Sequence, residues 1–162
     1  MEKRHWWRGL FGRRRAVPLD RGRSDLVVVA ESFDDAEACS RALDRAAESE
    51  PRWTASAEAV LRHHLRVPAD RREWLVGIAA QTGYTEASTD AVAAGGAPAY
   101  RAVPADVDAG LVALVVQRTE VLDAVHCSQE RSRMAGLAQR AGGWALGWDA
   151  LQPPQDRAGG TD

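Results

Sequence analysis

The residue types best suited to nucleophilic or metal chemistry in this 162-residue chain are four histidines and two cysteines. His63 and His64 are adjacent, but residues 60–67 alternate as a strand does, so neighbouring side chains leave on opposite faces. Two imidazoles so placed cannot share one ion. His126, Cys127 and Ser128 set a base beside a thiol. Catalytic Cys–His pairs meet across a fold, however, and adjacent helical residues point in different directions, so Cys127 reads as packing. Cys39 and Cys127 are far apart and neither belongs to a Cys-x-x-Cys pair. There is no His-Glu-x-x-His, and Gly95-Gly96 lacks the following Lys-Ser/Thr of a phosphate-cradling loop. The expectation is a non-enzymatic binding protein with no catalytic residue, no metal ligand set and no cofactor.

Two surfaces are candidates for binding. Along 60–67, Leu61, His63, Leu65 and Val67 take one side, and Val60, Arg62, His64 and Arg66 the other. His63 is then a hydrogen-bonded core histidine. Arg62, His64 and Arg66 form a basic row on an open sheet face, either simply solvated or a contact for an acidic or RNA partner. The strand over 110–118 (GLVALVVQR) carries no aromatic on which a base could stack, which disfavours direct RNA readout. The second surface is the arm MEKRHWWRGLFGRRR, where Trp6 and Trp7 precede Arg13, Arg14 and Arg15. Such an arm suits a membrane interface, or phosphates with indoles stacked on bases, or no specific ligand at all. Residues 1–23 hold eight basic side chains against two acidic ones, net +6, so the rest of a chain of net charge −2 carries −8.

The elements that position these residues are legible in outline. Residues 26–30 read as a buried strand, and Ser32 with Asp35 predicts a helix start running to about Ser49. Its apolar stripe is Ala36, Cys39, Leu43, Ala46 and Ala47. After the strand at 60–67, Pro68 and Asp70 introduce a helix with Trp74, Leu75, Ile78 and Ala79 inward, closed by Gly83 before a strand at Tyr84. Residues 86–110 read as a long loop with a short strand near 100–103. Residues 111–116, apolar throughout, predict a central strand, followed by a helix to about Arg140 with Ala124, Cys127, Met134, Leu137 and Ala138 inward. Gly142 and Gly143 end it, and a strand over 144–151 should carry Trp144, Leu146 and Trp148 on one face.

These units predict an α+β fold, a ferredoxin-like sandwich with an antiparallel sheet, helices on one face and the other face open, plus an extra N-terminal strand–helix unit. A rival parse closes a first sandwich within 25–88 and leaves a partial second one. The expected organisation is an arm over 1–24, a strand–helix extension over 25–57, the main domain over 58–152 and a frayed tail over 153–162. With 45% hydrophobic and 27% charged residues, a packed core is expected. The longest apolar run is far short of the roughly 20 residues a spanning helix needs, and no secretory pattern follows the basic start. Two separated, reduced thiols then suit a cytoplasmic protein.

The segment LRHHLRVPADRREWLVGIAAQTGYTEA, residues 61–87, resembles the opening strand–helix–strand of the regulator of ribonuclease E activity B family, with His63-His64 and Gly83-Tyr84 at the matching places. The later helix ending MAGLAQR and the strand GGWALGW are similar to that family's close, with Gly142, Gly143, Gly147 and Trp148 matched. Where the family usually carries Tyr-Asp before the last Gly-Trp, this chain has Ala145-Leu146. Over about 58–152 the resemblance implies a ferredoxin-like fold and a non-catalytic regulator that binds ribonuclease E and restrains RNA cleavage. Arg62, His64, Arg66 and Trp148 are then the candidate partner-binding residues, with a protein, and by resemblance a ribonuclease, as partner. The arm leaves a membrane or nucleic-acid tether open, and a pocket between helices and sheet leaves a small-ligand sensor open.

Overall fold

Alternation at the centre of the chain produces the longest ladder among the described residues. In the computed structural model, which describes residues 17–88 and 110–155, β2 (Glu58–Pro68) pairs antiparallel with β4 (Leu111–Val121) without interruption, from Glu58 opposite Val121 to Pro68 opposite Leu111. β5 (Trp144–Gln152) lies on the other side of β2. β1 (Val27–Ser32) closes one edge against β5, and the two-residue β3 (Thr85–Glu86) closes the other against β4. The result is a five-stranded antiparallel sheet of order β1-β5-β2-β4-β3. The strand at 27–32 therefore joins the same sheet, which excludes two separate sandwiches.

Among the described residues three α-helices accompany these strands: α1 (Cys39–Ala47), α2 (Arg72–Ala80) and α3 (Ala124–Arg140). All pack on the face of β2 that carries Leu61, Leu65 and Val67. At one end Cys39, Ala42 and Leu43 of α1 meet Cys127 of α3 over Leu61, Trp148 and Ala150. At the other, Leu75 and Ala79 of α2 meet Met134, Leu137 and Ala138 of α3 over Leu65, Val67, Leu114 and Val116. Gly83 and Gly142 adopt positive φ just beyond α2 and α3, conformations that a β-carbon disfavours.

Several expectations need correction. α1 begins at Cys39, not near Ser32, because Ser32 remains in β1 opposite Trp148 and its hydroxyl donates to Glu37. Residues 33–38 form a loop, held by Arg131 of α3, whose guanidinium donates to the carbonyls of Asp34 (3.0 Å) and Glu37 (2.7 Å). β4 is interior, but the middle strand is β2, which carries the histidines. Nor is the second sheet face open along its length, since Leu26, Val60 and Leu151 form a buried cluster there with Leu19 and Val28 against it. Finally, Trp144 and Trp148 do not share one phase. A bulge at Leu146 sets Trp148 opposite His63 and Trp144 opposite Arg66, so the extra residue reverses the alternation. Residues Trp6, Trp7, Arg13, Arg14 and Arg15, Gly95-Gly96, the strand near 100–103 and the tail from 156 lie outside the described residues.

Candidate functional site

The basic row is the first candidate, and two of its three members are internal. Arg62 retains 2% of its exposure and His64 1%. Directly across the ladder from Arg62 stands Asp149, fully buried. Arg62 donates from Nε to Oδ1 and from Nη2 to Oδ2, each at 2.6 Å, and His64 Nε2 lies 3.0 Å from Oδ2. The bidentate fork matches the carboxylate plane, the geometry in which a buried charge pair is best compensated. Burial opposes ionisation of Asp149, but the bonds from Arg62 and His64 outweigh it and hold the carboxyl below its ordinary range. Phe33 closes over this cluster, its ring centroid 5.3 Å from that of His64, edge to face. A β-carbon on Gly147 would stand 2.4 Å from Phe33 Cδ1, so glycine is what lets the ring reach His64. Arg66 is half-buried. Trp148 is fully buried among Cys39, Leu43 and Leu61. Arg62, His64 and Trp148 thus serve the interior, and two of the three residues expected on an open contact face belong to a buried ion cluster.

His63, one residue away, faces the helices. Its Nε2 lies 3.4 Å from the Tyr84 hydroxyl, which itself donates to Glu130 Oε2 at 2.7 Å. Glu130 in turn accepts from Arg133 and pairs with Arg118 at 3.6 Å, while the Arg118 guanidinium lies 4.6 Å over the Tyr84 ring. Burial, reinforced by the neighbouring His64, lowers the His63 pKa to about 3, and burial with the Glu130 bond raises that of Tyr84. These shifts fix the sign of the acid response. The unfolded chain protonates His63 near its ordinary value of about 6.5, whereas the folded chain resists until about 3. Stability should therefore fall as pH drops through this window, at up to about 1.4 kcal/mol per pH unit. Asp149, depressed when folded, contributes above its ordinary pKa and loses that contribution at still lower pH. Urea titrations from pH 7 to pH 4 should show the slope, and His63→Phe should flatten it; a wild-type curve that is already flat would refute the assignment.

The cysteine candidates fall apart spatially. Cys127 is buried against Cys39, and burial, with the Cys39 contact, raises its pKa, the opposite of an activated nucleophile. His126 is exposed and bonds Asp123, the residue that caps α3 through the His126 amide at 2.8 Å. Base and thiol do not meet. Among the described residues no three His, Cys, Asp or Glu side chains are grouped to hold a metal ion, and no helix is long and apolar enough to cross a membrane.

What the sequence did not disclose are two recesses beside α3. A groove of about 490 Å³ separates residues 35–40 from the N-terminal half of α3 and is lined by Ala36, Glu37, Ala38, Ala124 and Val125. Val125 is 64% exposed there. A smaller cavity of about 220 Å³ lies deeper, reached by His63, Trp144, Gln139 and Arg131. Neither has a sequence signature, because residues from segments far apart in the chain meet to build each of them. The chain matches no model of a known protein family, no curated protein and no solved structure.

Proposed function

We propose that this chain is a non-catalytic, protein-binding regulator of RNA turnover, similar in action to inhibitors of ribonuclease E. The observation that carries this reading is the order of the last four strands. Residues 58–152 run strand, helix, strand, strand, helix, strand, and their order β5-β2-β4-β3 supports the ferredoxin-like sandwich that the resemblance implies. β1 and α1 extend that unit at the β5 edge.

With Arg62, His64 and Trp148 committed to the interior, partner contact shifts to the groove beside Val125. Residues 31–50 hold seven acidic side chains against two arginines, net −5; at the groove itself Asp35 pairs with Arg131 and Glu37 with Arg45, so the acidic surplus lies in the surrounding segment. Charge complementarity points to a basic segment of the ribonuclease, with an apolar residue seated on Val125.

Cleavage of a defined RNA by purified ribonuclease E, with and without this chain in excess, tests the reading. Inhibition is expected, and Val125→Arg should weaken it about tenfold by setting like charge against the partner. An unchanged cleavage rate would refute the regulatory reading. Inhibition insensitive to Val125→Arg would remove the groove as its surface. Steeply salt-dependent RNA binding that vanishes on deletion of residues 1–23 would favour the tether function of the basic arm instead.

A further inference from the structure

The chain has two cysteines, and the fold brings them together from positions 88 residues apart. Cys39 opens α1 and Cys127 lies in the first turn of α3, both free thiols inside one apolar cluster with Leu43, Leu61 and Trp148. Free cysteines often serve as small apolar fillers. Contact between the chain's two thiols adds a chemistry that filling does not require. Sulfurs already against each other need to approach by roughly 2 Å more to form a bond of about 2.05 Å. The wall that would yield is the start of α1, whose N-cap Ala38 supplies no side-chain bond to hold it.

Access separates the two thiols. Cys39 keeps 4% of its exposure and borders the groove between residues 35–40 and α3; Cys127 keeps none and does not border it. Burial also holds the Cys127 thiol protonated, with the Cys39 contact adding to this and Arg131 opposing it. An external reagent therefore meets Cys39 first, and Cys127 acts on Cys39 afterwards. We propose that Cys39 and Cys127 are a modification site, a dithiol that low-molecular-weight disulfides of the glutathione class oxidise to an intramolecular disulfide. The Cys39 thiolate attacks one reagent sulfur, the reagent S–S bond breaks, and the departing thiolate takes up the proton that Cys39 gave up. Cys127, deprotonated in turn, attacks the Cys39 sulfur and expels the second reagent thiol. Two electrons pass from the protein to the reagent. The crosslink joins the two walls of the groove, and it forms whether or not the groove receives a ribonuclease.

Oxidised glutathione, applied to the full chain in native buffer, provides the test. The intact mass should fall by two hydrogens with no glutathione retained, and a non-reducing peptide map should join Cys39 to Cys127. The oxidised chain should melt roughly 5–15 °C above the reduced one, because the bridge closes a long loop. Cys127→Ala, without the second thiol, should stop at a stable glutathione adduct on Cys39. Cys39→Ala should stay unmodified until it is unfolded. Two thiols that remain free under sustained oxidant overturn the proposal. So does a bridge between two chains, a wild-type Cys39 adduct that never closes, or a bridge that forms in denaturant and not in native buffer.

Discussion

Asp149→Ala is expected to lower folding stability by about 3–5 kcal/mol, read as a shift of the urea midpoint with little change in slope. The carboxylate is the shared acceptor for Arg62 and His64, and all three side chains are buried. Truncation leaves a guanidinium in the interior without its bidentate counter-charge, so the main compensation for the desolvation of that cation is lost. A paired replacement separates this cause from simple loss of packing. Arg62→Met combined with Asp149→Leu removes both charges while keeping apolar volume, and should recover most of the loss. If Asp149→Ala costs less than about 1 kcal/mol, or if the double variant is no better than the single one, the ion cluster is not what holds β2 to β5 at this point.

Gly143→Ala should be almost as damaging, by about 3 kcal/mol or more, for a steric reason. A β-carbon there would stand 1.9 Å from the Arg66 carbonyl oxygen and 2.9 Å from Val67 Cα, both backbone atoms of the middle strand. Neither can move without disturbing the long β2–β4 ladder. Gly136, seven residues earlier in α3, provides the contrast, because nothing lies within 4 Å of its notional β-carbon. Gly136→Ala should raise stability by about 0.5–1 kcal/mol, since alanine loses less backbone entropy on entering a helix. Thermal melts of the two variants must move in opposite directions. A Gly143→Ala protein that melts with the wild type would mean that β5 enters the sheet less closely than described.

Periodicity along the chain was enough to locate β2, α2, β5 and the end of α3 to within a few residues, and Gly83 and Gly142 to mark where two helices stop, but β4 runs to Val121, five residues past the apolar stretch, and α3 starts only at Ala124. Those signals are local: alternation and helical stripes reflect which side of one element meets the core. They also put His63 and His64 on opposite faces of one strand, which the structure bears out with Tyr84 on one side and Phe33 on the other. The same rule misjudged exposure. Polar residues opposite an apolar stripe usually face water, yet Arg62 and His64 are buried, because Asp149, 87 and 85 residues away, supplies the compensating charge. Nothing in the local pattern announces that partner.

The remaining differences have the same origin. Ser32 and Asp35 have the spacing of a helix start, but β1 keeps Ser32 through its pairing with Trp148, and Phe33 is drawn onto His64. Trp144 and Trp148 have the spacing of one strand face, but a bulge against β2 intervenes. The sequence by itself determined where most strands and helices lie and which face of β2, α2 and α3 turns to the core, since those preferences act between residues a few positions apart. Tertiary structure alone decided that β1 joins β5, that a row of basic side chains becomes an interior ion cluster, and that cavities open beside α3. Each depends on groups brought together from distant parts of the chain, where the free energy lies in the meeting and in neither segment alone.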